Sequence, residues 1–240
     1  MTTNNTTNNK SKKYRANFEK IMEATKEKTF LPVQEAVELL QSLDHPQFKD
    51  GVSVELHFRL NINPLKSDQL VRSSLILPHG TGKTLKIAAF VTSDKEAEAK
   101  KAGADIIGGD DLIAKIKKSE KIDFDIAVAE PAMMTKLPVI ARLLGVAGVM
   151  PNPKNGTVGD DITKMIDLIK QGKVDFKNDK SSNIHLLVGK INKEFDSKKL
   201  VENINTAIEA VEKSKPEGVK KKYILTIHLA STMSPSIRLR

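Results

Sequence analysis

The sequence predicts an α/β protein of two domains: a split α/β domain that holds both termini, and an inserted Rossmann-like three-layer α/β domain. Three observations predict it. Strand-like and helix-like segments alternate from Leu85 to Gly172, the pattern of parallel strands joined by helical crossovers. The flanking segments follow another style, with long alternating strands and one long helix. The charge divides at the same boundary. Of the net charge of +9, residues 80–172 carry 14 Lys and Arg against 13 Asp and Glu, while the flanks together carry 25 against 17.

Residues 1–13, rich in Thr and Asn, are expected to form a disordered basic tail without the apolar core of a secretory signal. The split domain is then assigned to residues 14–79 and 173–240, and the insert to 80–172. Tyr14–Lys28 is helix-like. Pro32 opens a second helix with Val33, Ala36, Val37 and Leu40 at core spacing. Val52, Val54, Leu56, Phe58, Leu60 and Ile62 alternate with polar residues as in a half-buried strand. A further strand, Leu70–Leu77, ends at Pro78.

In the insert, a strand over Leu85–Val91 leads to a helix at Asp94–Ala102 and a short strand at Asp105–Ile107. Gly108-Gly109-Asp110 reads as a turn with Asp110 as helix cap. A strand follows at Phe124–Ala129, then a helix through Leu137–Leu144 and a Pro/Gly/Asn-rich loop, Gly145–Val158. Asp160 or Asp161 caps a helix that stops at Gly172. Beyond it, Val174 and Phe176, and then Ile184–Val188, read as strands. Ser197–Lys215 is a long helix with Leu200, Ile204, Ala207, Ile208 and Val211 inward. Tyr223, Leu225, Ile227 and Leu229 form a closing strand.

Composition excludes several function classes. There is no Cys, hence no disulfide or thiolate metal site. No apolar run approaches the ~20 residues of a membrane span. The five His residues are never three or four apart on a plausible helix, so neither a metal site nor a cofactor is expected. A net charge of +9 points to a polyanion, most simply nucleic acid. Aromatic residues make up only 4% and Trp is absent, which favours a folded or double-stranded target read through backbone and shape over stacked single strands.

Gly82-Lys83-Thr84 invites a nucleotide-binding reading. A phosphate loop needs Gly five residues earlier, and Leu77 stands there. It also needs a helix next, whereas Leu85, Ile87, Ala89 and Val91 alternate as a strand. No paired acid and base, nucleophile or dinucleotide fingerprint supports catalysis, so the protein is not expected to be an enzyme. Gly80 and Gly172 instead stand at the two crossings between domains and read as a hinge. A nucleotide-hydrolysing enzyme and a general RNA chaperone are the rival readings.

Ser67-Asp68-Gln69-Leu70-Val71-Arg72, with Leu77-Pro78-His79-Gly80-Thr81-Gly82-Lys83 in register, resembles the ribosomal protein L-one family of the large subunit. Met150-Pro151-Asn152-Pro153-Lys154-Asn155-Gly156-Thr157-Val158, Phe176-Lys177-Asn178-Asp179-Lys180 and Ser231-Thr232-Met233 resemble further blocks of it. The resemblance implies the split two-domain fold and a place in the large ribosomal subunit, on the stalk of 23S rRNA. It implies further a part in releasing tRNA from the exit site and, for bacterial members, repression of their own mRNA. It also implies a cytoplasmic protein, with an organellar ribosome left open, that is a monomer when free and has no membrane partner. The RNA contacts carried over are Gln47, Phe48 and Gly51 before the first strand, and Ser231, Thr232, Met233 and Ser234 at the end of the last. Lys177, Asp179 and Lys180 form a further contact region. Two departures stand out: the family often has Lys where Gln47 stands, and usually Gly where Ser234 stands.

Overall fold

The computed structural model describes residues 11–26, 29–48, 51–192 and 195–239. Residues 1–10 of the expected tail lie outside them. The chain divides into two compact units, one of Thr84–Lys173 and one of both chain ends, up to Lys83 and from Val174.

In the unit made of both ends, α1 (Lys12–Ala24) begins inside the expected tail, because the Ser11 hydroxyl accepts the Tyr14 N–H at 3.3 Å and caps it. α2 (Val33–Ser42) follows Pro32 and buries Ala36, Val37 and Leu40. Buried Asn17 ties α1 to the end of α2 by giving and taking hydrogen bonds with the Asp44 backbone, both 2.9 Å.

β1 (Val52–Leu60) has the alternating burial its sequence requires, with Val52, Val54, Leu56, Phe58 and Leu60 inward. It is flanked on both sides by antiparallel partners, β7 (Asn183–Ile191) and β8 (Ile224–Ser231). β9 (Ile237–Arg238) completes the sheet order β7-β1-β8-β9. The long α7 (Ser197–Lys213) packs with α2 to form one core with the inward residues of the sheet. The other sheet face is half exposed to exposed through its middle, at Glu55, His57, Arg59, His185, Leu187 and His228. The closing strand departs from expectation at one residue: the pairing of β1 with β8 shifts between Arg59 and Leu60, so Ile224 is buried and Leu225 turns outward. β2 (Arg72–Ile76) and β6 (Lys173–Lys177) pair separately as a two-stranded sheet.

The other unit is the three-layer α/β arrangement expected. β3 (Ile87–Phe90), β4 (Ile106–Gly108) and β5 (Ile126–Ala129) are parallel, in the order β4-β3-β5. Their side chains divide by parity. Ala88, Phe90, Ala127 and Ala129 join a core with α4 (Asp110–Ser119) and α5 (Ala141–Ala147). Ile87, Ala89 and Val128 join another with α3 (Glu96–Lys101) and α6 (Ile162–Lys170). Leu137–Ile140 is a 3₁₀ turn and α5 starts only at Ala141; Pro138 disfavours the α conformation at Leu137 just before it, which fits the late start. Two expected caps are corrected. Asp110 is the first residue of α4 and binds the Lys136 ammonium at 2.7 Å. Asp161 does precede α6, but its carboxylate binds Lys164 at 2.9 Å instead of capping.

Candidate nucleic-acid interface

The structure brings two of the three expected contact regions together. The register places Val54 opposite Ser231, so the start of β1 and the end of β8 share one edge of the sheet. The Thr232 N–H donates to the Ser53 carbonyl at 3.0 Å, and the Thr232 hydroxyl reaches the same oxygen at 3.4 Å. Ser231 is buried, and its hydroxyl lies 3.3 Å from Nδ1 of His45, joining the loop before β1 to the turn after β8. In that loop Gln47 is exposed, and Phe48 is 48% exposed, so its ring does not plug the core. Gly51 has φ +81°, and a Cβ there would lie 2.7 Å from the Ile191 carbonyl oxygen. Only glycine fits.

Met233 has φ +65° and is 78% exposed. That conformation is uncommon for a residue other than glycine; Glu120, which ends α4, and Ser182 share it, but neither is a large exposed apolar side chain. The positive φ therefore falls on Met233, and Ser234, the departure from Gly, takes an ordinary backbone conformation. Its hydroxyl accepts the Ser231 N–H at 3.0 Å and closes the turn that projects Met233.

Lys177, Asp179 and Lys180 lie elsewhere: Lys177 ends β6, and Asp179 and Lys180 follow in the connection to β7. Asn183, where β7 begins, pairs with Arg59 near the far end of β1. At ~3.3 Å per residue, this region is about 20–25 Å along the strand from the first two. Lys177 and Lys180 are exposed. Asp179 organises the turn, accepting the Asn183 and Ser181 N–H groups at 2.7 and 2.8 Å. The Asn183 bond in particular holds its carboxyl below the usual range.

The segment that imitates a phosphate loop runs from β2 to β3 with no helix after Lys83. It is anchored by Asn203, fully buried on α7. That amide donates to the Gly80 and Val188 carbonyls, both at 2.8 Å, and accepts the His79 N–H at 3.2 Å. In the inserted unit, a ligand would be expected at the carboxyl ends of β3 and β5, where the strand order reverses. Glu130 fills that place. Its carboxylate takes the Thr92 N–H and hydroxyl at 3.2 and 2.9 Å and the Lys95 ammonium at 3.1 Å. Burial alone would raise the Glu130 carboxyl, but these donors bring it below its ordinary value. Among the described residues, no group of three His, Asp or Glu is arranged to hold a metal ion, and no helix is long and apolar enough to cross a membrane.

Residues 40–235, including every expected contact residue, match the model of the ribosomal protein L1p/L10e family. The chain belongs to this family. Among curated relatives it is similar to the large ribosomal subunit protein uL1 of Persephonella marina, 44% identical over 92% of this chain and 90% of that one. The protein of the same name from Kosmotoga olearia is 44% identical over 96% of both chains. That from Streptomyces griseus is 45% identical over 89% of this chain and 87% of its own.

Sequence reasoning missed two sets of residues. One is Asn203, whose polar side chain lies among inward apolar positions of α7. The other is a row of histidines across the open sheet face, which only the strand register assembles.

Proposed function

We propose that this chain is a structural constituent of the large ribosomal subunit and binds rRNA through the split unit. The observation that carries the reading is the joint presentation of Phe48, Thr232 and Met233 at one sheet edge, in a basic unit of an L1p/L10e family member. Exposed Phe48 and Met233 offer apolar surface to a splayed base or ribose, and Thr232 offers a hydroxyl to a 2′-OH. Lys177 and Lys180 meet phosphates further along the sheet. In this reading the target is the stalk of 23S rRNA. Assistance to exit-site tRNA release and repression of the chain's own mRNA belong to the same proposal, because an mRNA that copies the stalk structure would occupy the same residues.

The test is a competition assay. Stalk RNA is expected to displace labelled stalk RNA at concentrations where random RNA of equal length does not. Equal competition would favour a general RNA chaperone. Thr232→Val sharpens it. The variant leaves an RNA polar group unpaired and is expected to cost about 1–3 kcal/mol of binding. Its own fold loses only a 3.4 Å bond, so its melting temperature should barely move. Unchanged affinity removes Thr232 from the interface.

The hinge belongs to the proposal in modified form. Gly80 and Gly172 both have positive φ, 62° and 94°. Asn203 holds the Gly80 carbonyl, so reorientation at the first crossing is assigned to the residues after it, beginning at Gly82, whose φ is 69°.

A further inference from the structure

His57 in β1 stands directly opposite His185 in β7 and His228 in β8. Arg238 in β9 stands opposite His228. All four belong to the open face of the sheet, since their strand neighbours Leu56, Phe58, Leu186, Ile227, Leu229 and Ile237 are buried. The row crosses four strands, between the Thr232–Met233 edge and the Asp179–Lys180 turn. Arg59, two residues along from His57, is exposed on the same face and donates to the Ser181 carbonyl at 2.8 Å.

The geometry at the centre of the row is specific. Nδ1 of His57 and Nδ1 of His185 are 2.8 Å apart, with the rings edge to face. One of these nitrogens must carry the proton and the other must not, because two N–H groups cannot face each other at that distance. The outer nitrogens face carboxylates: Nε2 of His57 is 3.8 Å from Glu55, and Nε2 of His185 is 3.7 Å from Asp179. The groups around the row are thus Glu55 and Arg59 from β1, Asp179 from the turn before β7, and Arg238 from β9.

We propose that this histidine row is a proton-linked contact for RNA phosphate: the row takes up protons when phosphodiester oxygens settle on the sheet, and RNA is held more tightly as pH falls. The inference rests on the rRNA-binding reading above. A phosphate oxygen accepts from both inner nitrogens at once, which relieves the conflict that protonation creates in the free protein. Direct opposition across adjacent strands makes the row one site.

The titration has the required sign. In the free protein, burial first and then His185 push His57 below its ordinary value of 6.5; Glu55 pulls it back in part, and His228 adds a smaller downward push. Burial and Arg238 do the same to His228. The folded protein therefore binds fewer protons than the unfolded chain, so these two groups contribute stability that is fully present above the unfolded value and is lost as pH falls from there through their lowered folded values. Phosphate on the row reverses the bias, so binding draws protons from solution.

The experiment titrates the full chain with stalk RNA at about pH 7.5 and about pH 6.0, at fixed ionic strength, with melting curves confirming a folded protein. Affinity is expected to rise about 3–10-fold at the lower pH, since one unit of upward pKa shift is a factor of ten. The double variant His57→Gln/His185→Gln should bind more weakly and lose the rise. His79→Gln, which removes a titratable ring paired with Glu202 on another part of the unit, should keep it. Thr232→Val should weaken binding equally at both values. Equal wild-type affinity at the two pH values, or a full rise in the double variant, overturns the proposal while leaving RNA binding intact. Absence of stalk RNA binding at both pH values overturns the binding reading together with it.

Discussion

Asn203→Leu is expected to destabilise the unit made of both chain ends by about 3–5 kcal/mol, because it strands three backbone groups away from water. The side chain is fully buried and serves the Gly80 and Val188 carbonyls and the His79 N–H. Leucine matches the volume closely, so packing changes little, and the loss is almost wholly of polar satisfaction. Each unpaired buried group costs about 1–3 kcal/mol, and partial access of water to the turn at Gly80 keeps the sum below the maximum. At roughly 2–4 °C per kcal/mol for a protein of this size, the first unfolding transition should fall by about 10 °C. Asn203→Asp is a stringent companion. It keeps the acceptor for His79 but loses both donors and sets a carboxylate against two carbonyls, so it should be no better than leucine. A leucine variant that melts with the wild type would show that these backbone groups find other partners.

That residue marks the limit of what periodicity shows. Helix periodicity identifies Leu200, Ile204, Ala207, Ile208 and Val211 as inward; four are buried and Ile208 is partly buried against the same core. It offers no reason for an amide among them, because the need arises from a loop more than a hundred residues away in sequence. The same holds for the histidines. His57 alternates outward in a strand that the sequence defines well, but its partner His185 is 128 residues away and comes beside it through strand pairing. Spacing along a helix finds no cluster there, and alternation within one strand does not show which strand lies beside it. Leu225 failed for a related reason: strict alternation buries it, and a shift in pairing turns it out. Alternation and crossover pattern did suffice for β1, for the parallel sheet and for its two helical layers, since each follows from local burial. The contact regions came from resemblance in short blocks. Their arrangement, two at one edge and the third about 20–25 Å along β1, is set by strand register, which no single segment of sequence carries.

Affinity for stalk RNA should fall by about a thousandfold between 50 and 200 mM monovalent salt, the consequence of neutralising about six phosphates. The charge split supplies the physical reason. Residues 80–172 are nearly balanced, with 14 basic and 13 acidic side chains, whereas the flanks have 25 against 17. Lys177, Lys180, Lys220, Lys221 and Lys222 are exposed there. Other basic residues are committed within the protein: the Lys173 ammonium donates to the Asn155 carbonyl at 2.6 Å, and Lys95 pairs with Glu130. Replacing one exposed lysine by Gln should reduce the slope of log affinity against log salt by about one and weaken stalk and random RNA alike. Changing Thr232 or Met233 should leave that slope alone and narrow the preference for stalk over random RNA. A slope near zero in the wild type would mean that the excess positive charge does not face the RNA. If a Thr232 variant lost salt dependence instead of preference, the division between phosphate contacts and the specific edge would be wrong. Phosphates far outnumber any one base-edge contact, so the lysines set how strongly the chain is drawn to RNA, and the turn that projects Met233 sets which RNA it keeps.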